Sequence, residues 1–246
     1  MMEIKNLAIE IAGKTLITDL NIELNPGEFW AILGKNGTGK TTLLHTLAGL
    51  LKYNTGSIKI NDRELTTFSA ISRAQNIALL SQLLEAGLNC TVKQAISYGR
   101  YPWHKCTADK HTDQQAIATA INHMQLNELQ DSSIQQISGG ELRKVEIATI
   151  LAQDSEIMLL DEPLNHLDMA FRYKLMQLLK QLSDKKLIII VTHDIQYVQA
   201  YCSHVIMLVN DNQTIIGKTK EVINPKNLNT MLGVSLADMV YQVMIP

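Results

Sequence analysis

A glycine-rich segment of the sequence has the residue types and the spacing of a phosphate-binding loop. Residues 34–41 read Gly-Lys-Asn-Gly-Thr-Gly-Lys-Thr, which fits the pattern G-x-x-x-x-G-K-[ST]. Glycines let backbone N–H groups curl around a β-phosphate, and the N-terminus of a following helix favours negative charge. The amino group of Lys40 then reaches the β- and γ-phosphate oxygens, and the hydroxyl of Thr41 is placed to ligate Mg²⁺. The segment therefore predicts a nucleotide phosphate site.

Two carboxylates follow a continuous apolar run. Asp161 and Glu162 come directly after residues 157–160, which have the pattern of a strand buried on both faces. Ligands of α/β proteins bind at the carboxyl ends of such strands. We expect Asp161 to hold Mg²⁺ through water and Glu162 to orient or deprotonate an attacking water. Alone, such a pair is more often a solvated turn or a helix cap, and the phosphate loop is what favours catalysis.

A histidine and a glutamine also follow apolar runs. His193 comes after residues 187–191, which predicts that it lies at the same edge of the sheet. A single histidine after a strand is usually structural. Gln82 ends another short apolar run, and its amide oxygen is placed to meet Mg²⁺ and the water. Both residues join the predicted site only because the phosphate loop and the carboxylates are present.

The segment Ser138-Gly139-Gly140-Glu141 predicts the start of a helix. The Ser-x-x-Glu spacing is a capping box, in which each side chain bonds the backbone of the other residue. The simplest interpretation is a helix cap and nothing more. The two adjacent glycines, however, leave the N–H groups of the first turn exposed, which makes a second anion-binding site. The chain would then carry two surfaces that bind phosphate.

The elements around these motifs follow from hydrophobic periodicity. Residues 3–24 alternate apolar with polar positions and are broken at Ala12-Gly13-Lys14, which predicts antiparallel strands joined by a turn. Residues 29–33, the loop and residues 41–51 predict a strand, a loop and a helix, the first unit of a parallel sheet. Residues 90–153 are helical in pattern without a convincing strand, and they are interpreted as a lobe inserted into the sheet domain.

Length and composition bound the class of protein. A chain of 246 residues is long enough for one large α/β domain, and a formal charge of −2 offers no global attraction to nucleic acid or anionic lipid. Cys90, Cys106 and Cys202 have no metal-type spacing, so free thiols in a reducing compartment are expected. The N-terminus lacks a signal-peptide pattern, and the apolar runs are far shorter than a membrane span. We therefore expect a cytoplasmic protein whose membrane role is peripheral.

Taken in chain order, these motifs resemble those of ATP-binding cassette (ABC) ATPase subunits of transporters, over residues 3 to about 217. The resemblance implies a P-loop NTPase fold: a RecA-like α/β sheet core with an antiparallel β subdomain and an inserted α-helical subdomain. It implies one ABC ATPase domain over residues 1–246, with its core at 1–89 and 154–217, a helical subdomain with the signature motif at 90–153, and a C-terminal appendage at 218–246.

The resemblance also assigns the site residues. Catalysis falls to Glu162 in the Walker B motif, His193 as the switch histidine and Gln82 in the Q-loop, and residues 164–168 form the D-loop. The implied metal ligands for Mg²⁺ are Thr41, Gln82 and Asp161. The implied ATP contacts are Gly34, Asn36, Gly37, Thr38, Gly39, Lys40, Thr41 and Thr42 of the Walker A loop, Asp161, and Ser138, Gly139 and Gly140 of the signature.

In that family two subunits pair head to tail, so the signature of one subunit contacts the γ-phosphate held by the other. This accounts for two anion sites in one chain. The implied partners are a second copy of the chain, polytopic transmembrane permease subunits and, indirectly, an extracytoplasmic substrate-binding protein; no nucleic acid is implied. Lys35 and Ile137 are mild departures from the family pattern. Ile11 is a larger one, because the family usually has an aromatic residue there that stacks on adenine.

Residues 91–104 are similar to the helical lobe of ATPases that serve importers of iron-siderophores, haem and cobalamin. A plain helix that ends at Gly99, followed by a turn with Pro102, is the structural alternative. Other metals or nutrients remain alternative cargoes, and a cassette ATPase that acts on ribosomes or DNA is the alternative outside transport. That class usually has two cassettes, long insertions or basic tails. A non-hydrolysing regulatory subunit is disfavoured by Glu162, Gln82 and His193.

Overall fold

The computed structural model describes residues 1–81, 89–104, 110–209 and 213–233. Within these ranges the strands form one sheet of four strands and one of six. The strands are β1 (Met2–Ile11), β2 (Lys14–Leu24), β3 (Phe29–Gly34), β4 (Thr55–Ile60), β5 (Arg63–Glu64), β6 (Ile77–Leu80), β7 (Ile157–Asp161), β8 (Leu187–Val191), β9 (His204–Leu208) and β10 (Thr214–Lys218).

Helices connect these strands; most of them contribute to the core on one face of the larger sheet, whereas the helix that follows β3 belongs to the core on the other face, with the smaller sheet. In the described ranges, four short 3₁₀ helices lie among them, at Leu65–Thr67, Tyr98–Trp103, Asn127–Leu129 and Ile134–Gln136. The α-helices are α1 (Lys40–Leu47), α2 (Ala70–Asn76), α3 (Val92–Ser97), α4 (Lys110–His123), α5 (Gly139–Gln153), α6 (Met169–Ser183), α7 (Ile195–Tyr201), α8 (Thr219–Val222) and α9 (Pro225–Leu232).

The smaller sheet begins with the predicted hairpin, which is confirmed. Strands β1 and β2 pair antiparallel, and Ile11 faces Lys14 across a two-residue turn. The turn residues Ala12 and Gly13 have φ angles of 52° and 77°, as a type I′ turn requires, because its twist matches that of the strands. Strands β4 and β5 extend this sheet in the order β2-β1-β4-β5.

The larger sheet has the order β10-β9-β3-β8-β7-β6, parallel except for the antiparallel edge strand β10. Its central strands β7 and β8 are buried at every position. Alternate side chains of β3 enter different cores: Phe29 and Ala31 pack with the helices, whereas Trp30 and Ile32 pack with the smaller sheet. The predicted α/β architecture with parallel central strands is therefore confirmed.

The strand order decides where the polar loops meet. Strand β8 lies between β3 and β7, and all three run in the same direction. Their carboxyl ends are therefore neighbours at one edge of the sheet. The phosphate loop follows β3, Glu162 follows β7, and His193 follows β8 two residues after Val191.

Where described, residues 91–153 form helices joined by turns, and their one element of β structure is a single bridge between Thr91 and Ser133. Helices α3 and α4 pack on α5. Arg100 of the 3₁₀ helix Tyr98–Trp103 is 5% exposed and bonds the Asp113 carboxylate and the carbonyls of Ala152 and Gln153, the last residues of α5. The boundaries of the helical subdomain and of the appendage remain predictions.

Cys90 and Cys202 are buried free thiols, and Cys106 lies outside the described residues. Burial raises the pKa of the Cys202 thiol well above its usual range, so this sulfur is unreactive. Among the described helices, none combines the length and the apolar character that crossing a bilayer requires.

Candidate functional site

The phosphate loop joins the end of β3 to the start of α1. Gly37 and Gly39 have φ angles of 79° and 98°, a left-handed conformation that glycine adopts at little cost. At Gly34 a Cβ atom would lie 2.7 Å from the Thr38 hydroxyl and 2.9 Å from the Leu208 carbonyl, so the close chain approach also requires glycine. The positions of the glycines therefore determine the curvature of the loop.

The Lys40 ammonium closes this loop. Its Nζ donates hydrogen bonds to the carbonyls of Gly34 and Lys35, each at 2.9 Å. Burial lowers the pKa of Lys40, and the nearby carboxylates of Glu162 and Asp161 oppose that shift. The amine thus lies between the loop and the two acidic residues.

Asp161 connects the end of β7 to helix α1. Its Oδ2 accepts a hydrogen bond of 2.7 Å from the Thr41 hydroxyl. The residue is 1% exposed, and within the described part of the chain its Oδ1 is buried without a hydrogen-bond partner. A buried carboxylate oxygen without a partner is costly unless a cation meets it. Mg²⁺ takes oxygen ligands, one or two carboxylates with waters and phosphates, so these residues fit that ion.

Glu162 and His193 form a second pair at the same edge. The Nδ1 atom of His193 lies 3.2 Å from Oε1 of Glu162. The Glu162 side chain is 15% exposed and that of His193 is 68% exposed, so solvent reaches this pair through the histidine. Glu162 has a φ angle of 47°, a left-handed conformation that costs a non-glycine residue free energy and clusters at functional sites.

One open cavity of about 310 Å³ lies between the phosphate loop and the two carboxylates, at the lower end of the size usual for small-molecule sites. Gly34, Thr38 and His193 do not belong to its described lining. The cavity is lined by Leu16, Asn36, Gly37, Gly39, Lys40, Thr41, Thr42, Asp161, Glu162 and Val191. Seven of the residues assigned from sequence therefore share it with Glu162. Gln82 lies outside the described residues.

Leu16 and Val191 supply the apolar side chains of the described cavity lining, and Ile11 does not contribute to it. Leu16 in β2 packs against Gly39, where an added Cβ would lie 3.2 Å from its side chain. Ile11 is 43% exposed at the end of β1 and does not belong to the described lining. Leu16 belongs to no motif; it is the extra residue at a register shift of the hairpin, between the pairs Ile9–Ile17 and Glu10–Thr15, and only the fold brings it to the loop.

The signature segment is the capped start of α5. Oγ of Ser138 accepts a hydrogen bond from the Glu141 N–H, and Oε2 of Glu141 accepts one from the Ser138 N–H. The predicted capping box is confirmed. The hydrogen bonds from Ser138 lower the pKa of the Glu141 carboxyl. Ser138 and Gly139 are exposed, and within this single chain the segment is not part of the described lining of the cavity.

Gly140 differs from Gly139 in what lies next to it. A Cβ on Gly140 would be 2.9 Å from the His166 carbonyl, whereas a Cβ on Gly139 would meet nothing within 4 Å. His166 belongs to residues 164–168, whose last member, Asp168, caps α6 by accepting from the Phe171 N–H. The start of α5 is therefore packed directly against the loop that follows Glu162.

Comparison with known proteins identifies relatives over the whole chain. The sequence pattern of the family described as ABC transporter matches residues 17–165. The petrobactin import ATP-binding protein YclP of Bacillus subtilis (strain 168) is 31% identical over 248 residues, covering 100% of this chain and 94% of the relative. The hemin import ATP-binding protein HmuV of Pseudomonas aeruginosa PAO1 is 31% identical, covering 96% and 94%.

The fold has close counterparts among solved structures. One is described as an inward-facing ABC transporter of the metal-chelate type. A chain of that structure superposes with a TM-score of 0.80 at 26% identity, covering 94% of this chain and 88% of that chain. The similarity in sequence and the similarity in fold thus agree with the nucleotide phosphate site that the cavity residues indicate.

Proposed function

The chain belongs to the ABC transporter family, and we propose that it is the ATP-hydrolysing subunit of an importer, bound to separate permease subunits on the cytoplasmic face of the membrane. The family match covers residues 17–165, and the relatives named above are ATP-binding proteins of import systems. The chain is an ATPase by its family. Its assembly, cargo and site-residue roles are proposals.

One observation carries the catalytic assignment: a single cavity holds a phosphate loop, a buried carboxylate without a full set of partners, and a glutamate beside a histidine. The loop glycines would receive the β-phosphate, with Asn36, Thr38 and Thr42 completing the loop. Lys40 would exchange its bonds to the loop carbonyls for the β- and γ-phosphate oxygens. This exchange gives the charged amine better acceptors than neutral carbonyls.

In hydrolysis, water attacks the γ-phosphorus, the bond from that phosphorus to the β–γ bridging oxygen breaks, and ADP and inorganic phosphate leave. Glu162 would accept a hydrogen bond or the proton from the attacking water. His193 would orient the Glu162 carboxylate, since it already lies 3.2 Å from it. Thr41, Asp161 and Gln82 would hold Mg²⁺, which offsets phosphate charge when bound.

We further propose that the working form is a homodimer. Ser138 and Gly139 are exposed and Gly140 is half-buried at the start of α5, and none of the three belongs to the described lining of this chain's own cavity. The Ser138 N–H bonds Glu141, so the N–H groups of Gly139 and Gly140 and the Ser138 hydroxyl would be the donors to phosphate. Such a helix N-terminus binds anions, so the signature of each subunit would close the cavity of the other. The two sites would then contain two Mg-ATP. Residues 90–153 would act as the subdomain that carries the signature, and residues 218–246 as an appendage.

The proposed cargo is a metal chelate, namely an iron-siderophore, haem or cobalamin. The relatives are named for petrobactin and hemin import. Residues 91–104, which resemble ATPases of such importers, form α3 with a capping box at Thr91 and then the 3₁₀ helix Tyr98–Trp103. An ATPase of another metal or nutrient importer is the alternative. The cargo would be chosen by the permease and by an external binding protein.

The test of the catalytic proposal is Glu162→Gln. We expect the Kd for ATP to stay within about threefold of wild type while kcat falls at least about a hundredfold, because the substitution removes the carboxylate and spares the phosphate contacts. Near-normal turnover by a folded Glu162→Gln protein would remove this residue from catalysis.

The transport proposal is tested in proteoliposomes that contain a permease that co-purifies with this chain. ATPase activity should depend on the permease and rise when a binding protein loaded with a ferric siderophore or hemin is added. Stimulation by ribosomes or DNA alone would overturn the transport role. Stimulation by a different loaded binding protein would overturn the cargo and leave the transport role intact.

A further inference from the structure

A buried arginine on α5 reaches the main chain at the catalytic edge. Arg143 is 5% exposed. Its Nη2 donates hydrogen bonds to the carbonyls of Asp161 at 2.8 Å and Glu162 at 2.7 Å. Its Nη1 bonds the Glu146 carboxylate and lies 3.4 Å from the Ser81 carbonyl. The guanidinium thus touches the last residue of β7, the residue that follows it and the residue just before Gln82.

The arrangement is a charged pair held in the interior. Glu146 is 10% exposed in its side chain and lies one helical turn after Arg143. Burial raises the pKa of Glu146, and the charge and hydrogen bond of Arg143 oppose the shift. Within the described residues the Nε of Arg143 is buried without a hydrogen-bond partner. A buried ion pair is weak evidence for stability alone, because desolvation offsets the attraction, so a role beyond packing is reasonable.

The contacts of Arg143 fall where the main chain is strained. Glu162 adopts a left-handed conformation, and its carbonyl also accepts from the Asn165 N–H at 3.2 Å. The Glu162 N–H bonds the Val191 carbonyl. Arg143 adds a charged donor to the carbonyls on both sides of Glu162. These bonds favour the left-handed conformation of Glu162 over an unstrained backbone conformation. The direction of the Glu162 side chain depends on that conformation.

We propose that Arg143 is a positioning residue for ATP hydrolysis, which fixes the main chain at Asp161 and Glu162 so that the Glu162 carboxylate faces the cavity. The inference rests on the proposed role of Glu162. Arg143 acts through Glu162 and does not line the described cavity itself.

The test is a set of purified full-length variants. Arg143→Met keeps the length and the apolar stem but removes the N–H donors. We expect kcat to fall about 10- to 100-fold, since a misplacement of about 1 Å at a reacting group costs on that order. The Kd for Mg-ATP should change less than about threefold. Arg143→Lys keeps a donor and should recover part of the lost kcat.

Measuring the same substitution in the Glu162→Gln protein separates a positioning role from a general structural defect. If Arg143 works through Glu162, then Arg143→Met should cause no further loss of rate in a Glu162→Gln protein, measured by phosphate release. A structural defect would lower the rate in both backgrounds. Equal fold-losses in the two backgrounds would therefore overturn the proposal.

The matched control is Arg100→Met. Arg100 is also 5% exposed and also bonds a carboxylate and backbone carbonyls, but at the far end of α5. We expect a comparable loss of thermal stability with kcat near wild type. Equal kcat losses for Arg100→Met and Arg143→Met would reject the inference. A normal kcat of Arg143→Met, when Glu162→Gln is inactive, would also reject the inference. Normal turnover of Glu162→Gln would instead reject the proposed function, and this inference with it.

Discussion

The buried carboxylate of Asp161 should make the free protein less stable than a neutral variant. Its Oδ1 has no hydrogen-bond partner within the described chain, and its Oδ2 is bonded by Thr41. Asp161→Asn keeps the size and an acceptor for Thr41 but removes the negative charge. We therefore expect this substitution to stabilise the protein without nucleotide and to weaken the binding of Mg-ATP.

The magnitude follows from the environment of the carboxylate. An unsatisfied buried polar group costs about 1–3 kcal/mol, and more if charged. The new amide N–H groups and the lost attraction to Lys40 offset part of this relief, which leaves a net gain of about 1 kcal/mol. For a chain of this size that corresponds to roughly 2–4 °C in Tm.

Ligand should reverse the order of stability. A ligand at 100 times its Kd adds about 2.7 kcal/mol to wild type. If losing the metal-side carboxylate weakens affinity about 10- to 100-fold, the same concentration adds only about 0.4–1.4 kcal/mol to Asp161→Asn. Without ligand the variant should melt higher, and with Mg²⁺ and a non-hydrolysable ATP analogue wild type should melt higher.

The assay is thermal unfolding of both proteins, with and without Mg²⁺ and the analogue. Asp168→Asn is the matched control, because Asp168 already accepts the Phe171 N–H as a helix cap and asparagine caps equally well. It should not change Tm by more than about 1–2 °C. The reasoning is refuted if Asp161→Asn melts below wild type without ligand, or if the analogue raises both melting temperatures equally.

Three further predictions concern the nucleotide, the signature and the metal. Leu16→Ala should raise the KM for ATP roughly fivefold, because about 1 kcal/mol of apolar contact is lost, whereas Ile11→Ala should leave the KM unchanged. Equal effects of the two substitutions in steady-state assays would contradict the assignment of Leu16 to the nucleotide cavity. Gly140→Ala should destabilise the free protein by about 1–3 kcal/mol in urea unfolding because of the His166 carbonyl, whereas Gly139→Ala should not; equal stability of the two would be inconsistent with this contact. Chelation of Mg²⁺ by EDTA should abolish phosphate release, and turnover that persists would exclude a metal-dependent reaction.

The parts of the site that the sequence predicts are those set by local spacing. The loop glycines, the two carboxylates at the end of β7 and the histidine after β8 are each predicted from a few neighbouring residues, and parallel strands bring them to one edge. Strand β4 could not be predicted from neighbouring residues, because it is largely polar and pairs Ile58 with Ile4, far away in the chain.

The contacts of side chains across the chain could not be predicted in this way. Leu16 is an ordinary apolar residue in a strand, and only the fold places it beside Gly39. Arg143 left a weak signal: it lies on the stripe of α5 that continues through Ile147 and Ile150, both buried. A charged residue on an apolar stripe indicates a buried partner, but not that the partner is the main chain at Glu162.

The central claim is that each ATP site is completed by the signature of a second subunit, and mixing two inactive variants tests it most directly. Lys40→Ala breaks the phosphate loop and Ser138→Arg blocks the signature. A heterodimer of the two has one site with an intact loop and an intact signature. Random pairing of equal amounts should therefore restore about a quarter of wild-type ATPase activity. If heterodimers form, as shown by differently tagged subunits, and the mixture stays as inactive as either variant alone, the claim is contradicted.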